Sequence, residues 1–219
     1  MALFAVALAV VVVVVVNLSG RGKPVAPTES RVAETTAEPS REPSRERDAK
    51  TLPVVSSDDW PRPSGDEVAA TQVPRYYPQR GDAELTLTVE EIGLYDVPVI
   101  SSNNEEALDN GVIHVPQTPM PWEEREQKNV YLAGHRLGWP GTGSRLVFYN
   151  LDKMKRGDAI VLRDSLGEPY EYRVSEVFVV EPGAEWAVDP VRGRDMVTLQ
   201  TCTFPNFENR LIVRADRRA

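Results

Sequence analysis

The chain has 219 residues and a formal net charge of −8 at pH 7; this acidic balance, with no Lys/Arg cluster in the folded part, excludes nucleic acid as a partner, because phosphate neutralisation supplies most of such affinity. One cysteine excludes an intrachain disulfide, and two histidines with one cysteine lack the paired-ligand spacing of a zinc site. No phosphate-cradling Gly-rich loop followed by Lys and Ser/Thr is present, which argues against nucleotide chemistry.

Residues 1–18 form the first predicted element. Met1 to Val16 is unbroken apolar sequence, about 24 Å long as a helix against a bilayer core of about 30 Å. Asn17, Leu18 and Ser19 fit a small-x-small cleavage site badly, so a transmembrane signal-anchor is favoured over a cleaved signal peptide. Arg21 and Lys23 follow the run and none precedes it, the wrong order for an exported C-terminus; a start further upstream is expected. Residues 19–83 read as a disordered Pro-rich linker. The stretch 20–83 carries nine of the 18 prolines, ten Lys/Arg and 11 Asp/Glu, too little apolar surface to offset its ordering entropy.

Residues 84–219 read as one folded domain, long enough for a real core. Removing the linker charges leaves 15 basic and 22 acidic residues there, a net of −7. Leu85–Glu90 alternates strictly, as a half-buried strand does, and Leu94–Ile100 follows the Gly93 turn. Ser102–Asn110 carries N-cap-like residues, early glutamates and Gly111 just beyond, the pattern of a short helix. Val130–Gly134, Ala159–Arg163, Tyr170–Val180, Met196–Cys202 and Leu211–Ala215 are further strands, with a helical turn in Leu146–Met154. Short strands with Pro-rich connections predict an all-β fold, a closed barrel or a sandwich.

His135 stands where an apolar strand opens into the Gly- and Pro-rich loop from Leu137 to Gly143, and Cys202 ends a strand that breaks at Thr203. A hairpin-like return over 203–209 brings Arg210 beside Cys202. These residue types suit acyl transfer. A thiol near its reference pKa is only a few per cent thiolate at neutral pH and needs a partner that takes its proton and returns it to a leaving amine. Histidine fits that double role, and a permanent guanidinium stabilises an oxyanion. Taken singly, each has a plainer reading: a buried small thiol, a structural histidine, a surface arginine.

Together the motifs resemble the sortase family of cell-envelope cysteine transpeptidases. Thr198-Leu199-Gln200-Thr201-Cys202 matches the TLxTC motif, Leu132 to Arg136 the catalytic-histidine strand and Arg210 to Ala215 the arginine strand. Gly111 to Pro119 is similar to the GVxHxPxT stretch of class E and, second, class D sortases. The resemblance implies a sortase-type β-barrel of about eight strands with one or two short helices. It implies Cys202 as nucleophile, His135 as proton partner and Arg210 as oxyanion stabiliser, with Thr201, Trp186 and Leu199 as substrate-binding residues. Leu94–Ile100 and 181–195 are expected to line the groove. The implied substrates are secreted proteins with a C-terminal LPxTG- or LAxTG-like sorting signal, cut between Thr and Gly. The implied acceptor is a peptidoglycan-precursor or pilin amine, the implied location the outer side of the cell membrane. No metal or cofactor is needed for that chemistry. Phe204, Asn206 and Trp139 depart from the family pattern. His114 is expected to be structural, and Glu105, Glu106 and Asp109 a solvated helix face rather than a calcium site.

L,D-transpeptidases want their cysteine in a Ser-x-Gly-Cys context, absent here. A thiol hydrolase shares the acyl-enzyme. The non-enzymatic alternative is a membrane-anchored peptide- or wall-binding β-domain with an inert, buried Cys202.

Overall fold

The computed structural model describes residues 60–218. The predicted anchor, and the linker up to residue 59, lie outside the described residues. Among the described residues no helix is long and apolar enough to cross a membrane.

Nine strands form one sheet: β1 (Arg75–Tyr76), β2 (Leu85–Val89), β3 (Leu94–Ser101), β4 (Val112–His114), β5 (Lys128–Ala133), β6 (Ala159–Asp164), β7 (Pro169–Val180), β8 (Asp195–Cys202) and β9 (Arg210–Arg217). Their order is β1-β3-β2-β6-β7-β9-β8-β5-β4, and β4 pairs back onto β3. The last pairing closes β2 to β9 into an eight-stranded barrel, with β1 as a short strand against β3. Closure removes the free sheet edges that invite aggregation.

Side-chain alternation builds the interior. In β2, Leu85, Leu87 and Val89 point inward while Thr86 and Thr88 are half-buried. They meet Val130 and Leu132 of β5, Val197 and Leu199 of β8, and Leu211 and Val213 of β9 in one core. Each fully buried Leu or Val there contributes roughly 1.5–3 kcal/mol. Strand β5 is buried on both faces, because the segment after β7 covers its outer side. Asn129 donates from Nδ2 to the carbonyls of Ala187 and Val188 (3.1 and 3.0 Å) and accepts from Thr198 Oγ1 (2.7 Å). Tyr131, Ala187 and Ile212 form a second, smaller cluster on that outer face, joined by Phe178, Val180 and Val188.

Helix α1 (Gly65–Ala70) and β1 correct the expectation of a linker reaching residue 83. Ser64 and Glu67 form a capping box, and Arg145 grips Glu67 with Nε–Oε1 at 2.7 Å and Nη2–Oε2 at 3.1 Å. Arg75 donates to the carbonyl of Leu146 (2.7 Å), and Asn150 donates to that of Thr71 (2.9 Å). Polar anchors to the barrel order this stretch where apolar burial is scarce. Helix α2 (Glu105–Asn110) bears out the short-helix reading, with Asn104 accepting from Ala107 N (2.7 Å). Leu94, Val97 and Val99 of β3 are buried inside the barrel, so these residues form wall rather than groove.

Candidate active site

Three neighbouring strands bring the reactive residues together. Strands β5 and β8 run parallel, with Ala133 paired to Gln200; continuing that register two residues sets His135 level with Cys202. Thr201 Oγ1 donates to the Gly134 carbonyl (2.8 Å), and Gly134 N donates to the Gln200 carbonyl (3.1 Å), which carries the register past the end of β5. On the other side, β9 runs antiparallel and Arg210 pairs directly with Cys202. The 203–209 return is tight: Thr203 N donates to Asn209 O (3.0 Å) and Phe207 N to Thr203 O (2.9 Å).

Side chains two residues apart share a face of a strand. Cys202, Gln200 and Thr198 therefore stand on one side of β8, with Leu199 and Thr201 on the other. Leu199 is wholly buried in the barrel core, so its expected substrate contact is corrected to packing. Thr201 is buried with its hydroxyl committed to Gly134; it ties the nucleophile strand to the histidine strand and offers no surface to a substrate. Trp186 lies on the outer face in a single 3-10 turn, 54% exposed. Its ring stacks on Phe178 (centroids 5.9 Å apart), with the Arg214 guanidinium 5.4 Å from its centroid.

Glycine is required at two places around His135. A Cβ on Gly134 would lie 2.7 Å from the Phe148 ring, which is wholly buried. Gly138 has φ +61 and abuts the Ser144 carbonyl, where an added Cβ would sit 2.2 Å from the oxygen.

His135 donates through Nε2 to Asp109 Oδ1 at 2.8 Å, and Trp60 stands edge-on to its ring with centroids 4.7 Å apart. Burial lowers the His135 pKa, opposed by the hydrogen bond and charge of Asp109 and by the charge of Glu105. No hydrogen bond among the described residues joins the ring to Cys202. Burial raises the Cys202 pKa, and the charges of Arg210 and then Arg136 pull it back. The Arg210 guanidinium turns onto its own loop, with Nη1 donating to the carbonyls of Phe207, Glu208 and Asn209 at 3.2–3.3 Å.

Two contributors are not legible in the sequence. Arg136 is 4% exposed, ion-paired to Asp152 (2.8 Å) and 4.1 Å from the centroid of the Phe204 ring; an arginine directly beside a reactive histidine is the available signal. Asp109 reads as solvated, yet it reaches His135. His114 is structural, as expected: Ser101 Oγ meets Nδ1 at 3.1 Å and Thr118 Oγ1 meets Nε2 at 3.0 Å. Between Trp60 and the 204–207 return, a cleft of about 370 Å³ is lined by Trp60, Arg62, Leu137, Tyr149, Phe204 and Phe207 among others. Among the described residues no cluster of His, Cys, Asp and Glu is arranged to hold a metal ion.

Comparisons with known proteins bear on the family and the fold. A family model described as the Sortase domain matches residues 87–218. Sortase A of Streptococcus agalactiae serotype III (strain NEM316) is 32% identical over 90 residues, 41% of this chain and 36% of that protein; the match thus spans little more than a third of that relative's length. Among solved structures, a lid mutant of sortase A from Corynebacterium diphtheriae is 26% identical with a TM-score of 0.55, over 63% of this chain and 70% of that one. Sortase C1 of Group B Streptococcus Pilus Island 1 is 29% identical with a TM-score of 0.57, over 64% and 68%.

Proposed function

The chain belongs to the sortase family, and on that premise we propose that it is a cysteine transpeptidase acting on an LPxTG- or LAxTG-like sorting signal. The carrying observation is the register that pairs Arg210 with Cys202 and, continued two residues past the end of β5, brings His135 level with Cys202 on its other side.

In this reading the Cys202 thiolate attacks the carbonyl carbon of the Thr–Gly bond. The oxygen of the tetrahedral intermediate takes negative charge, which Arg210 stabilises once its guanidinium leaves the 207–209 carbonyls. The C–N bond breaks as imidazolium His135 gives its proton to the departing glycine amine, leaving a thioester on Cys202. A peptidoglycan-precursor or pilin amine then attacks the thioester, loses a proton to His135, and releases Cys202 as thiolate. Trp186, exposed on the outer face with its ring stacked on Phe178, contacts the sorting signal.

The apolar run in residues 1–18 anchors the protein in the cell membrane with the barrel outside, where secreted proteins bearing sorting signals pass. The Gly111 to Pro119 stretch supports class E, then class D, as its place within the family. The Trp60 ring stands edge-on against His135, with centroids 4.7 Å apart, and covers one side of the imidazole.

The test is mass spectrometry of the full chain with LPxTG and LAxTG peptides, with and without an amine acceptor, beside Cys202→Ala. An acyl adduct on Cys202 and amine-dependent ligation, both lost in the variant, are expected. A folded protein that forms no adduct, and whose thiol resists alkylation, would leave the binding-domain reading in its place.

A further inference from the structure

We propose that Asp109 is a positioning residue of the reaction: it fixes the His135 ring through Nε2 and leaves Nδ1 to exchange the proton with Cys202 and the departing amine. The inference rests on the cysteine–histidine reading above and assigns a task that neither Arg210 nor the strand register performs.

A strand register fixes a backbone and leaves the imidazole free to turn about its side-chain torsions. Asp109 removes that freedom, with Oδ1 2.8 Å from Nε2. The carboxylate is itself fixed. The Gly111 amide closes the end of α2 on Leu108 O (3.3 Å), and β4 begins directly afterwards. The loop after His135 packs on the same end of α2, where a Cβ on Gly143 would come within 2.7 Å of the Asn110 carbonyl oxygen. Both partners thus belong to one packed unit. Asp109 also sits in the last turn of its helix, where the exposed carbonyls make a carboxylate unfavourable. A residue kept against that local preference signals a task outside the helix.

With Nε2 committed, Nδ1 is the ring nitrogen that no hydrogen bond reaches among the described residues. In the imidazolium the Nε2 proton stays with Asp109 and the Nδ1 proton passes to the leaving amine. When the acceptor amine attacks, its proton returns to Nδ1. The charged groups facing the pair are Asp109 and Glu105 from α2, Arg210 from β9 and Arg136 from the loop after β5. Only the two acidic groups favour protonated His135. Burial works against it, so removing the carboxylate makes the imidazolium scarcer at every pH.

The test compares Asp109→Asn and Asp109→Glu with the unmodified full chain by two readouts. NMR titration of the His135 ring, assigned with His135→Gln, needs no turnover. The pH profile of kcat/KM on the peptide substrate reports the reaction. For Asp109→Asn we expect His135 to titrate at lower pH, and the acid limb of the profile to move the same way. The plateau should fall roughly 10- to 100-fold, the scale seen when the carboxylate that orients a metal-ligating imidazole is removed. Asp109→Glu should recover most of it. An Asp109→Asn protein whose His135 titration and acid limb stay in place overturns the proposal, even if its activity drops. Absence of an acyl adduct in the unmodified chain would instead sink the transpeptidase reading, while the ring titration still judges the Asp109 contact.

Discussion

The two sides of the site are held by different physics. On one side, β5, β8 and β9 carry His135, Cys202 and Arg210 on continuous ladders backed by fully buried Leu132, Leu199 and Val213. On the other, Trp60, α1 and α2 lie against the barrel through a few polar contacts and edge-on rings, and neither helix has a buried residue. Backbone geometry is thus set by the part of the molecule that is hardest to deform. Coverage by Trp60 and α1 is set by parts with little buried apolar surface, whose opening costs less, while α2 is held by its packing against the loop after His135.

Substitutions on the ladder side should have the larger effects. Arg210→Ala should reduce acyl-enzyme formation by about 100- to 1,000-fold, the usual consequence of removing an oxyanion donor, with a melting temperature close to that of the unmodified chain. Rapid-quench mass spectrometry of the Cys202 adduct checks this. Gly134→Ala drives a methyl group into the Phe148 ring; overpacking of this kind costs about 1–3 kcal/mol. Urea denaturation should show that loss, and His135 should lose its alignment with Cys202.

Effects on the covering side should be smaller and of opposite sign for access. Trp60→Ala uncovers the His135 ring and one wall of the cleft, so alkylation of Cys202 by iodoacetamide should speed up several-fold while stability falls by less than about 1 kcal/mol. Slower alkylation would mean that Trp60 supports the site rather than covers it. The smallest effect concerns Glu67, whose carboxyl is held down to about 2 from 4.5, chiefly by the Arg145 hydrogen bond. A depressed carboxyl stabilises α1 fully above its ordinary pKa and loses that contribution as pH falls from about 4.5 towards about 2. The protection of residues 64–71 against hydrogen exchange, relative to the intrinsic rate at each pH, should therefore fall over that range before that of the barrel amides, and Glu67→Gln should show the lowered protection already at neutral pH.

The same division governs what is legible in the sequence. Strands β2, β6 and β7 follow from alternation, because each has one face in the core. Strands β3, β8 and β9 are buried on both faces over part of their length and read as strands from their apolar runs. Strand β4 has three residues, all buried, too few to alternate, and β1 exists only through its pairing with β3. The capping box at Ser64 and Glu67 is written in the sequence, but the composition of the surrounding stretch outweighs it. The motif resemblance suggests Leu199 as a substrate contact, although period two already sets it on the face opposite Cys202. Asp109 has no such signal: only the packing of α2 against the loop after β5 brings it to His135.

The parallel pairing of β5 with β8 has a consequence for the order in which the molecule is made. Parallel neighbours need a long crossover, and here it comprises β6, β7 and the Trp186 segment. A chain synthesised from its N-terminus therefore holds His135 long before Cys202 exists, and Arg210 comes later still. Contacts so distant in sequence form late, so the barrel must be nearly complete before the thiol meets its partners. On the transpeptidase reading the half-made protein is chemically quiet, and reactivity is the last property that folding confers.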